Sequence, residues 1–503
     1  MKHALYQTAT FGIALAILLS LAPLHSGADH APSYEPILPG RPISTDEQWL
    51  VLRPEMQALD LAGLPSYQID ATFDPELATI RAQEILRFPN PGAAALGEIV
   101  FRLLPNATSI YGGGSLAIQG IWRGAEPVPW TVSPDQTILT VLIEPALGVG
   151  ETIELALGYE LVVPRVGSGY KILHQSSAVT SLAGWYPILA PYEGGWQAPS
   201  VPTVGDANHF DIALYDVTFR APTAYALAST GVTLSRFQEG DLSVWRLASG
   251  PARSFALALS DRFQVLTAQR DNVTVNYYAL PSGPRERSPQ EALQIALDAL
   301  QVFDGRFGAY PYTEFDVVET QVTIGGYEFA GMVFIAAALR ASGDLERLRF
   351  IVSHEVAHQW WYALVGSDSV EEPWLDEALA TYSVAIYYED TYGAGAGRSM
   401  VSYFRGQGGN PTGAAPGINV SALDYDSWAA YRGRVYYQGA LFLDALRQEM
   451  GDDAFFAMLR EYTREHRFGS ATTAEFAALA RQFAGRPLDS LFLSWFGVAE
   501  PGI

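Results

Sequence analysis

The stretch Ser353-His354-Glu355-Val356-Ala357-His358-Gln359-Trp360-Trp361, with Glu377 nineteen positions after His358, decides how this chain is read. On an α-helix, positions i and i+4 lie about 40° apart around the axis, so His354 and His358 point the same way. Neutral imidazoles at that spacing can share one tetrahedral zinc ion. Glu355 is turned about 100° from His354, out of easy reach of a metal but within reach of a water held there. Glu377 offers a third ligand from the next helix and leaves one position for that water, the layout of a hydrolytic zinc site. The competing reading is a pair of ordinary core or surface histidines. The pattern predicts a helix over residues 344–364, stopping at Gly366, and a second one starting near Glu372-Pro373. Glu377 then falls one turn into that second helix and faces back across the connection.

Composition narrows the chemistry. There is no cysteine, so a metal must be held by His, Asp or Glu, and thiol nucleophiles and disulfides are excluded. Only eight histidines are present, two of them in the motif. A net charge of -23 argues against nucleic acid as a partner, because phosphate binding needs clustered Lys and Arg. With 503 residues, two or three domains are expected, and 49% apolar residues suffice to fill their cores.

Residues 1–28 read as an export signal: Lys2, a mostly apolar run over 9–24, then the small residues Ser26-Gly27-Ala28. The run is short for a spanning helix, which favours cleavage, with an uncleaved membrane anchor as the alternative. This predicts an extracytoplasmic protein: secreted, periplasmic or on the cell surface. Proline and glycine punctuate residues 29–44, a linker.

Residues 45–268 read as a large antiparallel β-domain. Tyr67, Ile69, Ala71 and Phe73 alternate with polar residues, as do Ile153, Leu155, Leu157, Tyr159 and Leu161. Further strands are expected over 79–88, 98–104, 137–143 and 210–219. Residues 269–503 change character. Ser288-Pro289-Gln290-Glu291 is a capping box with proline at the first helical position, followed by apolar residues at helical spacing. A strand is expected over 315–323, ending near Gly325-Gly326, and helices dominate from 344 onward.

With these motifs in hand, the chain resembles the aminopeptidase N family of zinc metallopeptidases (gluzincins). The resemblance is carried by His354-Glu355-Val-Ala-His358, by Trp374-Leu-Asp-Glu377-Ala-Leu-Ala-Thr-Tyr382, by Gly325-Gly326-Tyr327-Glu328-Phe329-Ala330-Gly331-Met332 and by Arg434-Val435-Tyr436-Tyr437-Gln438-Gly439. It implies a saddle-like N-terminal β-domain followed by a thermolysin-like α+β catalytic domain. It implies one Zn2+ ion held by His354, His358 and Glu377, with Glu355 as general base and Tyr436 as donor to the oxyanion. Glu328 then binds the substrate's α-amine, and Gly325 and Gly326 let a peptide approach the strand edge. Three positions depart from the family pattern: Tyr327 stands where Met is usual, Phe329 for Asn and Gln438 for Lys. The family's β-domain often adds a second polar residue to amine recognition. Residues 184–189 show no counterpart, and the role is not carried onto nearby Glu193. The aromatic stretch around Trp185 and Trp196 reads as loop packing rather than a substrate cleft.

The expected function is an exported zinc aminopeptidase acting on peptide substrates. Rival readings are an endopeptidase or broad peptidase on the same scaffold, a hydrolase of another substrate class, and a non-catalytic binding protein that reuses it. Oligomeric state is not legible.

Overall fold

In strand Ser66–Asp74 every second residue is buried, beginning with Tyr67 and ending with Phe73, as one-sided sheet packing requires. The computed structural model describes residues 47, 50–56, 59, 61, 63–167, 169–283, 286–409 and 417–501. The export signal or anchor expected over 1–28 and the linker over 29–44 lie outside the described residues.

An eight-stranded sheet forms the body of the β-half. Its spatial order is Val232–Glu239, Leu242–Ala252, Ala213–Pro222, Ser66–Asp74, Thr79–Pro89, Thr152–Val162, Ser115–Arg123 and Glu126–Pro127. The expectation of a wholly antiparallel domain needs one correction. Ser66–Asp74 runs parallel to Ala213–Pro222, in register Ser66↔Leu214, while its other neighbour, Thr79–Pro89, is antiparallel. Parallel neighbours need a long crossover, and the strands between residues 79 and 189 provide it. Two four-stranded sheets complete this half. One joins Ile188–Leu189, Leu96–Arg102, Ile138–Leu147 and Trp130–Val132; the other joins Ala226–Ser229, Leu257–Ser260, Thr180–Leu182 and Leu173–Gln175.

A five-stranded mixed sheet begins at Gln264, in the order Gln264–Arg270, Val273–Ala279, Glu314–Thr320, Met332–Ala336, Gly326–Phe329. The helix Pro289–Phe307 is the crossover between its parallel strands Val273–Ala279 and Glu314–Thr320. Its capping box forms as the sequence predicts: the Ser288 hydroxyl accepts from the first turn, and Glu291 reaches back to the Ser288 amide. Gly326–Phe329 is the edge strand, paired among the described residues only with Met332–Ala336. Helices make up most of the remainder. None in the described residues is long and apolar enough to cross a membrane.

Several boundaries differ from the sequence reading: the strands expected over 98–104, 137–143 and 210–219 are Leu96–Arg102, Ile138–Leu147 and Ala213–Pro222, and two further shifts lie beside the site. The strand expected over 315–323 is Glu314–Thr320. The motif helix is Leu345–Ala357, not 344–364. It is capped by Asp344, whose carboxylate accepts from the Arg347 amide at 3.1 Å. After His358 the chain tightens into turns, with Tyr362 at φ 141° and Trp361 bridging to Val365. Apolar residues at 360, 361 and 364 prolong the helical pattern, yet they are buried by tertiary packing: Trp360 lies edge-on to Phe303 and Phe307.

The β-half and the helical half share contacts. Arg253, 2% exposed, donates to the carbonyls of Tyr362, Phe210 and Gly469 and so ties the eight-stranded sheet to the turn after the motif helix.

Candidate active site

The motif helix buries Val352 and Val356 against the core, and that places His354 and His358 side by side on the face turned to the next helix, Trp374–Tyr392. Their Nε2 atoms lie 3.1 Å apart. Glu377 Oε2 is 3.3 Å from His354 Nε2 and 3.6 Å from His358 Nε2. Zinc bonds of about 2.0–2.1 Å at tetrahedral angles put donors roughly 3.3–3.4 Å apart, so this triangle fits such an ion. Glu377 Oε2 is buried and accepts no hydrogen bond, a lone pair aimed into the triangle. The Glu377 carboxyl is held well below its ordinary range: burial opposes this, but the bonds and charges of His354 and His358 outweigh it. Burial keeps His354 below its usual value, hence neutral. For His358 burial acts the same way, yet Asp376 and Glu328 raise it well above normal. Such surroundings call for a cation at Nε2, whether a proton or a metal ion.

Asp376, which the sequence reading passed over, stands behind His358. Its Oδ1 lies 2.6 Å from Nδ1, and that same nitrogen meets the Trp361 carbonyl at 2.9 Å. Acceptors there place the ring proton on Nδ1 and leave the Nε2 lone pair for the metal. Its place beside Glu377 in Trp374-Leu-Asp-Glu was the available signal.

Glu328, Glu355 and His358 form a second cluster, with one donor atom of each within 4.8 Å of the others. The Glu328 carboxylate therefore lies beside both Glu355 and the ligand candidate His358. Burial pushes its carboxyl up to about 8, with His358 pulling the other way and Asp376 and Glu377 adding to the push. Glu355 is likewise raised by burial, and its Oε2 is buried without a hydrogen-bond partner. The two glycines pack on the motif helix. A Cβ on Gly326 would occupy the space of the Glu355 carboxylate, and one on Gly325 would collide with Ile351. Their bareness thus serves Glu355 as well as the strand edge.

Tyr436 lies in a π-helical stretch, Arg432–Gln438, an irregularity that often marks functional positions. Its hydroxyl donates to Glu377 Oε1 at 2.5 Å, and its ring stacks beside His354. Its neighbour Tyr437 instead packs against Tyr403 and Phe404, so it is Tyr436 that faces the site. Gln438 turns away and donates to the Gly408 carbonyl.

Trp185 packs on Tyr186 and Phe219, and Trp196 on Phe88 and Tyr192, as loop packing requires. Glu193 lies 3.5 Å from His209. Asn208 is the β-half's polar residue at the Glu328 carboxylate, to which its side chain donates at 2.7 Å. The sequence carries no local signal for it.

The sequence model of the Peptidase family M1 domain matches residues 291–495, the segment holding all three ligands, Glu355, Glu328 and Tyr436. Residues 291–495 thus resemble the M1 peptidase domain. Within that segment, His354, His358 and Glu377 form a cluster consistent with a gluzincin zinc site. Among curated relatives it is 24% identical to an aminopeptidase N of Streptomyces lividans over 307 residues, 57% of this chain and 35% of that protein. It is 25% identical to aminopeptidase B of Mus musculus over 382 residues, 70% of this chain and 54% of that one. The chain thus spans about a third of the first relative and about half of the second. An M1 zinc metallopeptidase from Deinococcus radiodurans shares the fold, with a TM-score of 0.67 at 19% identity, covering 86% of this chain and 93% of that one. A mutant of that protein bound to a Tyr-Ser-Ala substrate superposes with a TM-score of 0.66 at 20% identity, covering 86% and 94%.

Proposed function

We propose that this chain is a zinc aminopeptidase that removes N-terminal residues from peptides. The observation that carries this reading is the Glu328 carboxylate, buried and grouped with Glu355 and His358 within 4.8 Å. A carboxylate fixed there can hold a cation one residue's length from the scissile bond, and a peptide offers a cation at that place only at its N-terminus.

The chain's own groups divide the work. His354, His358 and Glu377 hold the zinc ion, which when bound acidifies a water and polarises the scissile carbonyl. Glu355, with a free buried oxygen, takes the attacking water's proton and returns it to the leaving amine. Tyr436 brings a hydroxyl donor beside Glu377, where it can turn to the oxyanion that forms as the carbonyl is attacked. Asp376 keeps the His358 ring oriented. The edge strand Gly326–Phe329 offers backbone groups to an extended peptide.

The test pairs aminoacyl chromogenic substrates with N-blocked peptides of the same sequence. Hydrolysis of the free-amine substrates alone is expected. Equal rates on blocked peptides would make this an endopeptidase or broad peptidase instead. We further propose export, supported by the pattern of residues 1–28. Sequencing the N-terminus of protein recovered outside the cytoplasm checks it.

A further inference from the structure

We propose that Asn208 is a positioning residue that locks Glu328 for amine binding, so that the β-half decides whether the site counts from a peptide's N-terminus. The inference rests on the reading of Glu328 as the amine holder and adds the device that aims it.

Asn208 is buried, and both side-chain polar groups and its backbone N–H are engaged. Its side-chain NH2 donates to Glu328 Oε1 at 2.7 Å. Its side-chain carbonyl accepts from the Tyr327 hydroxyl at 2.9 Å. Its backbone N–H donates to Ser369 Oγ at 2.9 Å. The three partners come from two places: Glu328 and Tyr327 from the edge strand, Ser369 from the loop before the Trp374–Tyr392 helix. Asn208 itself precedes strand Ala213–Pro222 of the eight-stranded sheet.

The orientation of the amide is dictated by its partners. The Tyr327 hydroxyl donates to the side-chain carbonyl, which turns the NH2 toward Glu328 Oε1. A glutamate on an edge strand otherwise samples several rotamers. With Oε1 held by Asn208, the carboxylate is fixed in one orientation for an ammonium to meet. Tyr327 thereby acquires a purpose where Met is usual in the family: its hydroxyl pins the residue that pins Glu328.

The experiment compares two metal-chelating ligands on zinc-loaded protein by calorimetry. One is an amino-acid hydroxamate; the other is the same hydroxamate without the amino group. Asn208→Leu keeps the size and removes both polar contacts. It is expected to weaken the amine-bearing ligand about 10- to 100-fold, the scale for losing a bond to a charged group, and to leave the deaminated ligand unchanged. Tyr327→Phe is expected to shift the same ratio in the same direction by less, and it stands in should Asn208→Leu fail to fold. Equal weakening of both ligands, or no change in either, overturns the proposal. Glu328→Gln separates the two levels of argument. If it erases the preference for the amine while the Asn208 and Tyr327 variants keep it, the positioning role fails alone. If Glu328→Gln keeps the preference, the aminopeptidase reading fails with it.

Discussion

Gly326 has no side chain, and the carboxylate of Glu355 fills the space that one would take. A methyl group there must push that carboxylate aside. Gly326→Ala is therefore expected to lower kcat at least about 100-fold, the scale of a 1 Å misplacement, while bound zinc stays stoichiometric. Steady-state kinetics with metal analysis checks both halves. Tyr436→Phe removes the hydroxyl now resting on Glu377. Loss of one oxyanion donor predicts a fall in kcat of about 100- to 1,000-fold with KM little changed. The two histidines were legible in the sequence because helical geometry fixes their directions before any tertiary contact forms, and Glu377 through its spacing from them on the next helix. Asn208 was not, because its partner Glu328 lies 120 residues away and only the folded chain brings them together.

At the scale of elements, the site depends on the meeting of two helices. The start of the Trp374–Tyr392 helix is held by Trp374, fully buried among Phe442, Phe476 and Phe496, with its indole N–H donating to Thr473 Oγ1 at 2.9 Å. Glu377 follows one turn later. Trp374→Ala is expected to cost about 3–5 kcal/mol of stability. It should also weaken zinc retention, because the third ligand loses its anchor; thermal melts with and without a chelator would show the two losses together. Element types were well read from periodicity and capping. The end of the motif helix was not: Trp360, Trp361 and Leu364 keep an apolar pattern in turns, and burial alone does not distinguish a helix from a turn. The parallel neighbour of Ser66–Asp74 was equally invisible, since alternation reports which face is buried and not which strand lies beside it.

Across the whole molecule, acidity reaches into the core. Glu84 is fully buried in the β-half, and neither carboxylate oxygen has a hydrogen-bond partner. Burial raises its pKa well above the ordinary 4.5. The folded chain therefore keeps a proton that the unfolded chain gives up. Below the ordinary value both states are protonated and the residue is neutral to folding. As pH rises above about 4.5 the unfolded state is favoured, by up to about 1.4 kcal/mol per pH unit, until the folded value is reached. Glu84→Leu should flatten this decline, and the gap in stability between variant and parent should widen from pH 4 to pH 8 in denaturant titrations. A gap independent of pH would show that Glu84 is already ionised in the folded state.

The strand Ser66–Asp74 has one neighbour close by in sequence and another that is synthesised much later, at Ala213–Pro222. On the ribosome its first hairpin can form early, but its other edge stays open until that later strand emerges. Pairings across such long loops are slow, and an unpaired edge invites association with other chains. The newly made β-half thus has a window of exposure to misassembly that closes only when residues 213–222 dock.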